Sequence, residues 1–216
     1  MPMGRMIGSR IALAFVASTT VWANEHAEPS TDSAEDSARW TIQRLFPELT
    51  AIEELVLGDI DGDGIADAAA IVLHPQEPVE GETILVLKGH LDKSYMSMAR
   101  SLTYSPRLRG LEYLSIENGS FYITNSDIGY TAYTGVRFQF RLQHNKLTLV
   151  GLESSSGEIG NEPSQQLSVN FLTKEIIEFQ NTTDKRTTIH RRLKNAEKIV
   201  FERFEPHQEI DLSSAP

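Results

Sequence analysis

Two rhythms of apolar and polar residues run along the 216-residue chain. From Ala38 to Leu45 the spacing is helical, with Trp40, Ile42, Leu45 and Phe46 recurring, and Pro47 limits the helix. After Leu55 the rhythm becomes that of strands. Leu55 to Leu57 and Ala68 to Leu73 flank an Asp/Gly cluster, and Thr83 to Lys88 reads as a buried strand. A further strand is expected within 94–104. Strands are also expected at 111–116, 121–124, 136–142, 147–152, 166–172, 175–179 and 187–191.

Residues 136–142 alternate strictly. Val136, Phe138, Phe140 and Leu142 are expected to face a core, and Arg137, Gln139 and Arg141 to face water. Asn118-Gly119 between apolar runs predicts a two-residue hairpin turn, because both positions need positive φ. That reading is preferred to the glycosylation sequon that Asn118, Gly119 and Ser120 also spell. His144-Asn145 predicts a second turn. No helical period dominates after residue 54, and no full-length repeat is found. The expected fold class is mainly β: an antiparallel sheet fold, sandwich or propeller-like, with a short N-terminal helix.

The N-terminus has a different character. Arg5 and Arg10 precede a short apolar run, Ile11 to Trp22, and Val21-Trp22-Ala23 suits a signal peptidase. Residues 1–23 are therefore expected to be an export signal, since the run is well short of the roughly 20 residues that span a bilayer. The expected organisation is a polar leader over 24–37, one β-rich domain over 38–204 and a polar tail over 205–216. Without residues 1–23 the chain carries 30 acidic and 18 basic residues, a formal charge of −12. An acidic chain lacks the electrostatic footprint of a nucleic-acid binder. Cysteine is absent, which excludes disulfides, thiolate metal sites and thiol catalysis. A periplasmic or secreted location without a membrane anchor is expected.

The chemistry is concentrated in one loop. Residues 58–67 read Gly-Asp-Ile-Asp-Gly-Asp-Gly-Ile-Ala-Asp, which places Asp59, Asp61, Asp63 and Asp67 at positions 1, 3, 5 and 9. Alternate side chains of a tight loop can aim at one centre, and Gly62 and Gly64 let it bend back on itself. Hard oxygen ligands are what Ca²⁺ accepts, and the carbonyl of Ile65, at position 7, is the natural backbone donor. The Ile65 side chain is expected to plug the core. At 4 Å a pair of like charges costs about 4 kcal/mol at an effective dielectric near 20, and a divalent cation reverses the sign. The solvated acidic turn is the plain alternative. Ala70 stands where an EF-hand needs its bidentate Glu. Over roughly 55–73 the segment instead resembles the strand–loop–strand calcium motif of FG-GAP and VCBS modules in integrin-type propellers. That resemblance implies calcium in a β context.

The order of signal, calcium loop and antiparallel β region is similar to small periplasmic inhibitors of peptidoglycan hydrolases. These include immunity proteins against lysozyme-like effectors of type IV secretion systems. The resemblance rests on Gly58–Asp67 and on Phe121–Gly151, and many such proteins are lipoproteins tethered through a Cys that this chain lacks. It implies a loop inserted into a hydrolase cleft. The candidate is the stretch 125–133, an exposed loop with Ile128, Gly129, Tyr130 and Tyr133 as partner-binding residues. A second candidate loop is Ser154 to Asn161. A calcium-dependent adhesion or ligand-binding module at the envelope is the alternative function.

Enzyme signatures are weak. There is no Gly-x-Ser-x-Gly elbow or phosphate loop, and the six His, at 26, 74, 90, 144, 190 and 207, show no zinc spacing. Glu53-Glu54 or Glu77/Glu80/Glu82 would need a catalytic separation in space. The basic clusters Arg107/Arg109 and His190–Arg192 read as solvated faces. The chain is expected not to be an enzyme.

Overall fold

The computed structural model describes residues 33–48, 51–74, 81–104, 111–182, 185–194, 198–205, 210 and 212. The expected export signal, most of the leader and most of the tail lie outside these residues, as do Glu77, Glu80, Arg107 and Arg109.

Helix α1 (Ala34–Leu45) begins four residues before the apolar spacing predicts. Ser33 is its cap: its hydroxyl accepts from the Asp36 N–H at 3.1 Å, and Glu35 and Asp36 sit where the helix dipole favours acids. Its buried stripe is Ser37, Ala38, Thr41 and Ile42, so Trp40 and Leu45 lie on the outer side, with Arg44 over the Trp40 ring.

Eleven strands follow among the described residues. A four-stranded antiparallel meander contains β1 (Ala51–Gly58), β2 (Asp67–His74), β3 (Gly81–Gly89) and β4 (Tyr95–Arg100) in chain order. A seven-stranded antiparallel meander contains β5 (Leu111–Glu117), β6 (Ser120–Ile128), β7 (Ala132–Gln143), β8 (Lys146–Glu158), β9 (Gln165–Asn170), β10 (Glu175–Thr182) and β11 (Lys185–Arg192). The fold is mainly β, as expected, and neither sheet closes into a barrel.

The three layers explain why β2 and β3 read as unbroken apolar runs. Ala68, Ala70, Val72, Leu85 and Leu87 turn to one face and pack under Ala38 and Ile42 of α1. Ala69, Ile71, Ile84 and Val86 turn to the other and meet Phe121, Ile123, Phe138 and Phe140 of the large sheet. A strand covered on both sides loses its alternation, whereas β7, with one face on the core, keeps it. Phe138 and Phe140 are buried as expected, with Val136 and Leu142 packed against the core. The Asn118-Gly119 turn has φ of 52° and 67°, and His144-Asn145 has 52° and 61°. Both expected hairpins therefore form with the mirror-image turns that suit strand twist.

The two sides of the sandwich are closed differently. At one, β1 lies beside β5, and the Glu54 carboxylate accepts from the Leu114 N–H at 3.1 Å. At the other, the segment 198–205 stitches β8 to the residues after β4. The Leu149 N–H donates to the Ile199 carbonyl at 2.9 Å, and Phe201 and Phe204 drop between the sheets. Their rings stand edge-on to Phe140 at 5.2 and 4.9 Å, an arrangement worth more than its buried area alone.

Candidate metal centre and hairpin tip

The Asp/Gly loop is the β1–β2 connection. Gly58 and Asp67 are the last register pair of those strands, so the sheet brings the ends of the loop together. Gly62 and Gly64 both take φ of +81°, the left-handed conformation that glycine adopts at no steric cost. The loop is then held by its own aspartates. Asp59 accepts from the Gly62 N–H at 2.6 Å and the Gly64 N–H at 2.9 Å. Asp61 accepts from the Asp63 N–H at 3.2 Å, and Asp63 from the Ile65 N–H at 2.9 Å. These bonds turn the carboxylates inward. One oxygen each of Asp59, Asp61 and Asp67 lies within 4.8 Å of the others, close enough to share one cation. The donor set is all hard oxygen, so calcium or a similar divalent ion fits its chemistry.

Asp67 has a second task. It is fully buried; Oδ2 accepts from the Ile60 N–H at 2.8 Å and Oδ1 from the Gly89 N–H at 3.0 Å. One carboxylate thus ties the loop to the end of β3. Burial pushes its pKa up, and the two N–H groups pull against that. Gly89 is where the backbone passes closest: a Cβ there would stand 2.1 Å from the Ala66 carbonyl oxygen.

Ile60, only 2% exposed, is the loop's plug in the core between the sheets, rather than the expected Ile65, which is half-buried. Lys88, which the sequence shows only as the end of an apolar strand, reaches into the cluster. Its ammonium donates to Asp61 Oδ2 and lies 3.1 Å from Asp63 Oδ2. The two carboxylates raise the lysine pKa. The Ile65 N–H, and after it Lys88, holds Asp63 below the usual carboxylate range. Asp63, which also pairs with Lys88, is outside the group of three that could share a cation. Its pairing across β3 could not be read from spacing along the chain.

The expected partner loop is shorter than the sequence suggests. Residues 125–128 belong to β6, and Ala132 and Tyr133 to β7, leaving Gly129, Tyr130 and Thr131 as the tip. Gly129 N–H donates to the Ala132 carbonyl at 2.9 Å, and Ile159 N–H to the Thr131 carbonyl at 3.0 Å, so the next turn braces the tip. Tyr130 is fully exposed, with Ile128 61% and Ile159 50% exposed beside it. Tyr133 packs back against Gly157. Ser154–Glu158, expected as part of a second loop, is the final third of β8. The reason is long β7–β8 pairing: Ala132 through Val136 bond across to Glu158 through Ser154, and a serine-rich strand is read as a connector when its partner is unknown.

The Asp/Gly loop and the tip lie at opposite ends of β6. The β5–β6 turn at Gly119 comes to the Ile60 carbonyl, and the tip follows Ile128. No family model, curated protein or solved structure matches the chain. Among the described residues no helix is long and apolar enough to cross a membrane.

Proposed function

We propose that the chain is an exported binding protein that holds a calcium ion in the β1–β2 loop and uses the β6–β7 tip to block a peptidoglycan hydrolase. The observation that carries this reading is the braced tip with a fully exposed Tyr130 between exposed Ile128 and Ile159. Apolar side chains grouped at a hairpin tip gain nothing for the fold and suit insertion into a cleft. Tyrosine anchors bring large area at low entropy cost, and a tip already held by hydrogen bonds loses little freedom on binding. The net acidic charge favours encounter with a basic hydrolase. Asp59, Asp61 and Asp67 would hold the ion, with the Ile65 carbonyl as the expected backbone ligand, and the ion's part is to fasten the loop.

The test is titration of the protein into a lysozyme-type hydrolase encoded next to it. Stoichiometric loss of cell-wall lysis is expected, and Tyr130→Ala should weaken it about tenfold or more without a change in Tm. Undiminished lysis at molar excess of the wild type refutes the inhibitor reading.

A further inference from the structure

We propose that the outer face of the seven-stranded sheet carries a second site, which takes a short neutral saccharide. A trough of about 480 Å³ crosses β6 to β10 there. Small-molecule sites occupy the same range, roughly 300–1,000 Å³. Its floor is one cross-strand row, Ser126–Gly135–Ser155.

Gly135 is the anomaly. Glycine weakens the interior of a strand, and it commonly marks a bulge or a close approach. At Gly58, Gly81, Gly89, Gly151 and Gly157 a Cβ would meet a neighbour at 3.2 Å or less. At Gly135 nothing lies nearer than 3.6 Å, and what lies there is the hydroxyl of Ser155, with that of Ser126 at 3.8 Å. Its φ is not positive, and the register is regular on both sides of it. Neither backbone nor packing requires a glycine. The space above it is what the residue provides.

The lining shows what would fill that space. Ser126, Ser155, Gln166 and Glu153 make no side-chain hydrogen bond or ion pair among the described residues. Arg137, which also lines the trough, is already paired: it bonds Glu117 at 3.0 Å and lies over the Tyr122 ring, and just beyond it Gln139 donates to Ser120 and Tyr122. Unspent hydroxyl, amide and carboxylate groups on one floor, with the Phe179 ring at the far side, match the two surfaces of a sugar. Its hydroxyls donate and accept at the rim, and its C–H face packs on an aromatic ring. Glu153 stands opposite Arg137, whose charge is already met by Glu117, so the lining carries no spare positive charge for an anionic ligand, and a single carboxylate is too few for a metal.

The test is an amide NMR titration with chitotetraose and, separately, maltotetraose. Shifts are expected at Gly135, Ser155 and Gln166 with at least one of the two. Gly135→Val should abolish them while melting no lower than wild type, since valine suits a strand. Ser155→Tyr, which fills the trough from the neighbouring strand, should weaken binding about tenfold or more. Silence at millimolar concentrations of both saccharides overturns the proposal. So does binding that survives Gly135→Val, or a Gly135→Val protein that melts well below wild type, because the glycine would then serve the backbone. Hydrolase inhibition is read in a separate assay with a variant of its own, Tyr130→Ala, so failure of one proposal does not decide the other.

Discussion

Asp67 separates two explanations of the Asp/Gly loop, one in which its carboxylates exist for a metal and one in which they build the loop. The perturbation is Asp67→Ala. It removes the acceptor of two buried N–H groups, Ile60 at 2.8 Å and Gly89 at 3.0 Å, and nothing else among the described residues stands ready to replace it. Each orphaned donor costs about 1–3 kcal/mol. Part of that is returned, because the carboxylate no longer has to be buried; its raised pKa records that strain. The net expectation is a loss of about 2–4 kcal/mol, with calcium absent. For a domain of this size that lowers Tm by about 5–15 °C. Asp67→Asn keeps one acceptor oxygen and should lose roughly half as much.

The assay is urea unfolding followed by far-ultraviolet circular dichroism, in chelator, so that metal binding contributes nothing. With calcium at about 100 times its Kd, the wild type should gain a further 2.7 kcal/mol or so by mass action. The reasoning is refuted if Asp67→Ala lies within about 1 kcal/mol of wild type in chelator. Asp67 would then serve the ion alone, and the latch between the loop and β3 would carry no weight.

Three further outcomes follow from the same geometry. Lys88→Met removes the ammonium from Asp61 and Asp63, so calorimetric titration should show calcium binding about tenfold tighter or more; unchanged affinity would mean the lysine does not compete. His74 is buried, and its Nε2 lies 2.9 Å from the Thr83 hydroxyl and 3.1 Å from an Arg100 N–H; burial, then Arg100, lowers its pKa below 6.5. The unfolded chain therefore takes up the proton first, stability falls as pH drops below 6.5, and melting curves between about pH 7.5 and about pH 5.5 should show a fall that His74→Gln reduces. Phe140→Ala opens a cavity beside Phe121, Phe201 and Phe204 and should cost about 3–5 kcal/mol in urea unfolding; a loss under about 1 kcal/mol would deny that this ring cluster is the core.

The local features were legible because their signals are local. Asn118-Gly119 and His144-Asn145 announce positive φ, and 136–142 alternates because only one of its faces meets the core. The loop aspartates were legible for the same reason, since Asp59 to Asp67 lie close together in the chain and most of the bonds that shape the loop stay within them. Illegible were the features that depend on which strand lies next to which. Lys88 reaches Asp61 across 27 positions, and the Ser-rich end of β8 is a strand only because β7 lies beside it. Trp40 and Leu45 followed the helical period yet face outward, because Ser37 and Thr41 are narrow enough to let α1 settle close on a sheet surface built from alanines. Ile60 and Ile65 are chemically alike, and only the bend at Gly62 and Gly64 decides which of them enters the core.

The placement of the two ends of β6 constrains how calcium and recognition can be related. Nine residues of extended strand span about 30 Å. The metal loop packs at the Gly119 end and the exposed tip grows from the Ile128 end, so an ion in the loop makes no direct contact with anything the tip grips. Whatever the ion contributes must pass through the fold. Below the melting transition β6 is already held, by β5 from Ser120 to Ser126 and by β7 from Phe121 to Ile128, which leaves an ion little to change there. Under the proposed reading, calcium would fasten one corner of the sandwich, beside Asp67 and Ile60. Affinity at the tip would then depend on calcium only under conditions in which that corner would otherwise come apart.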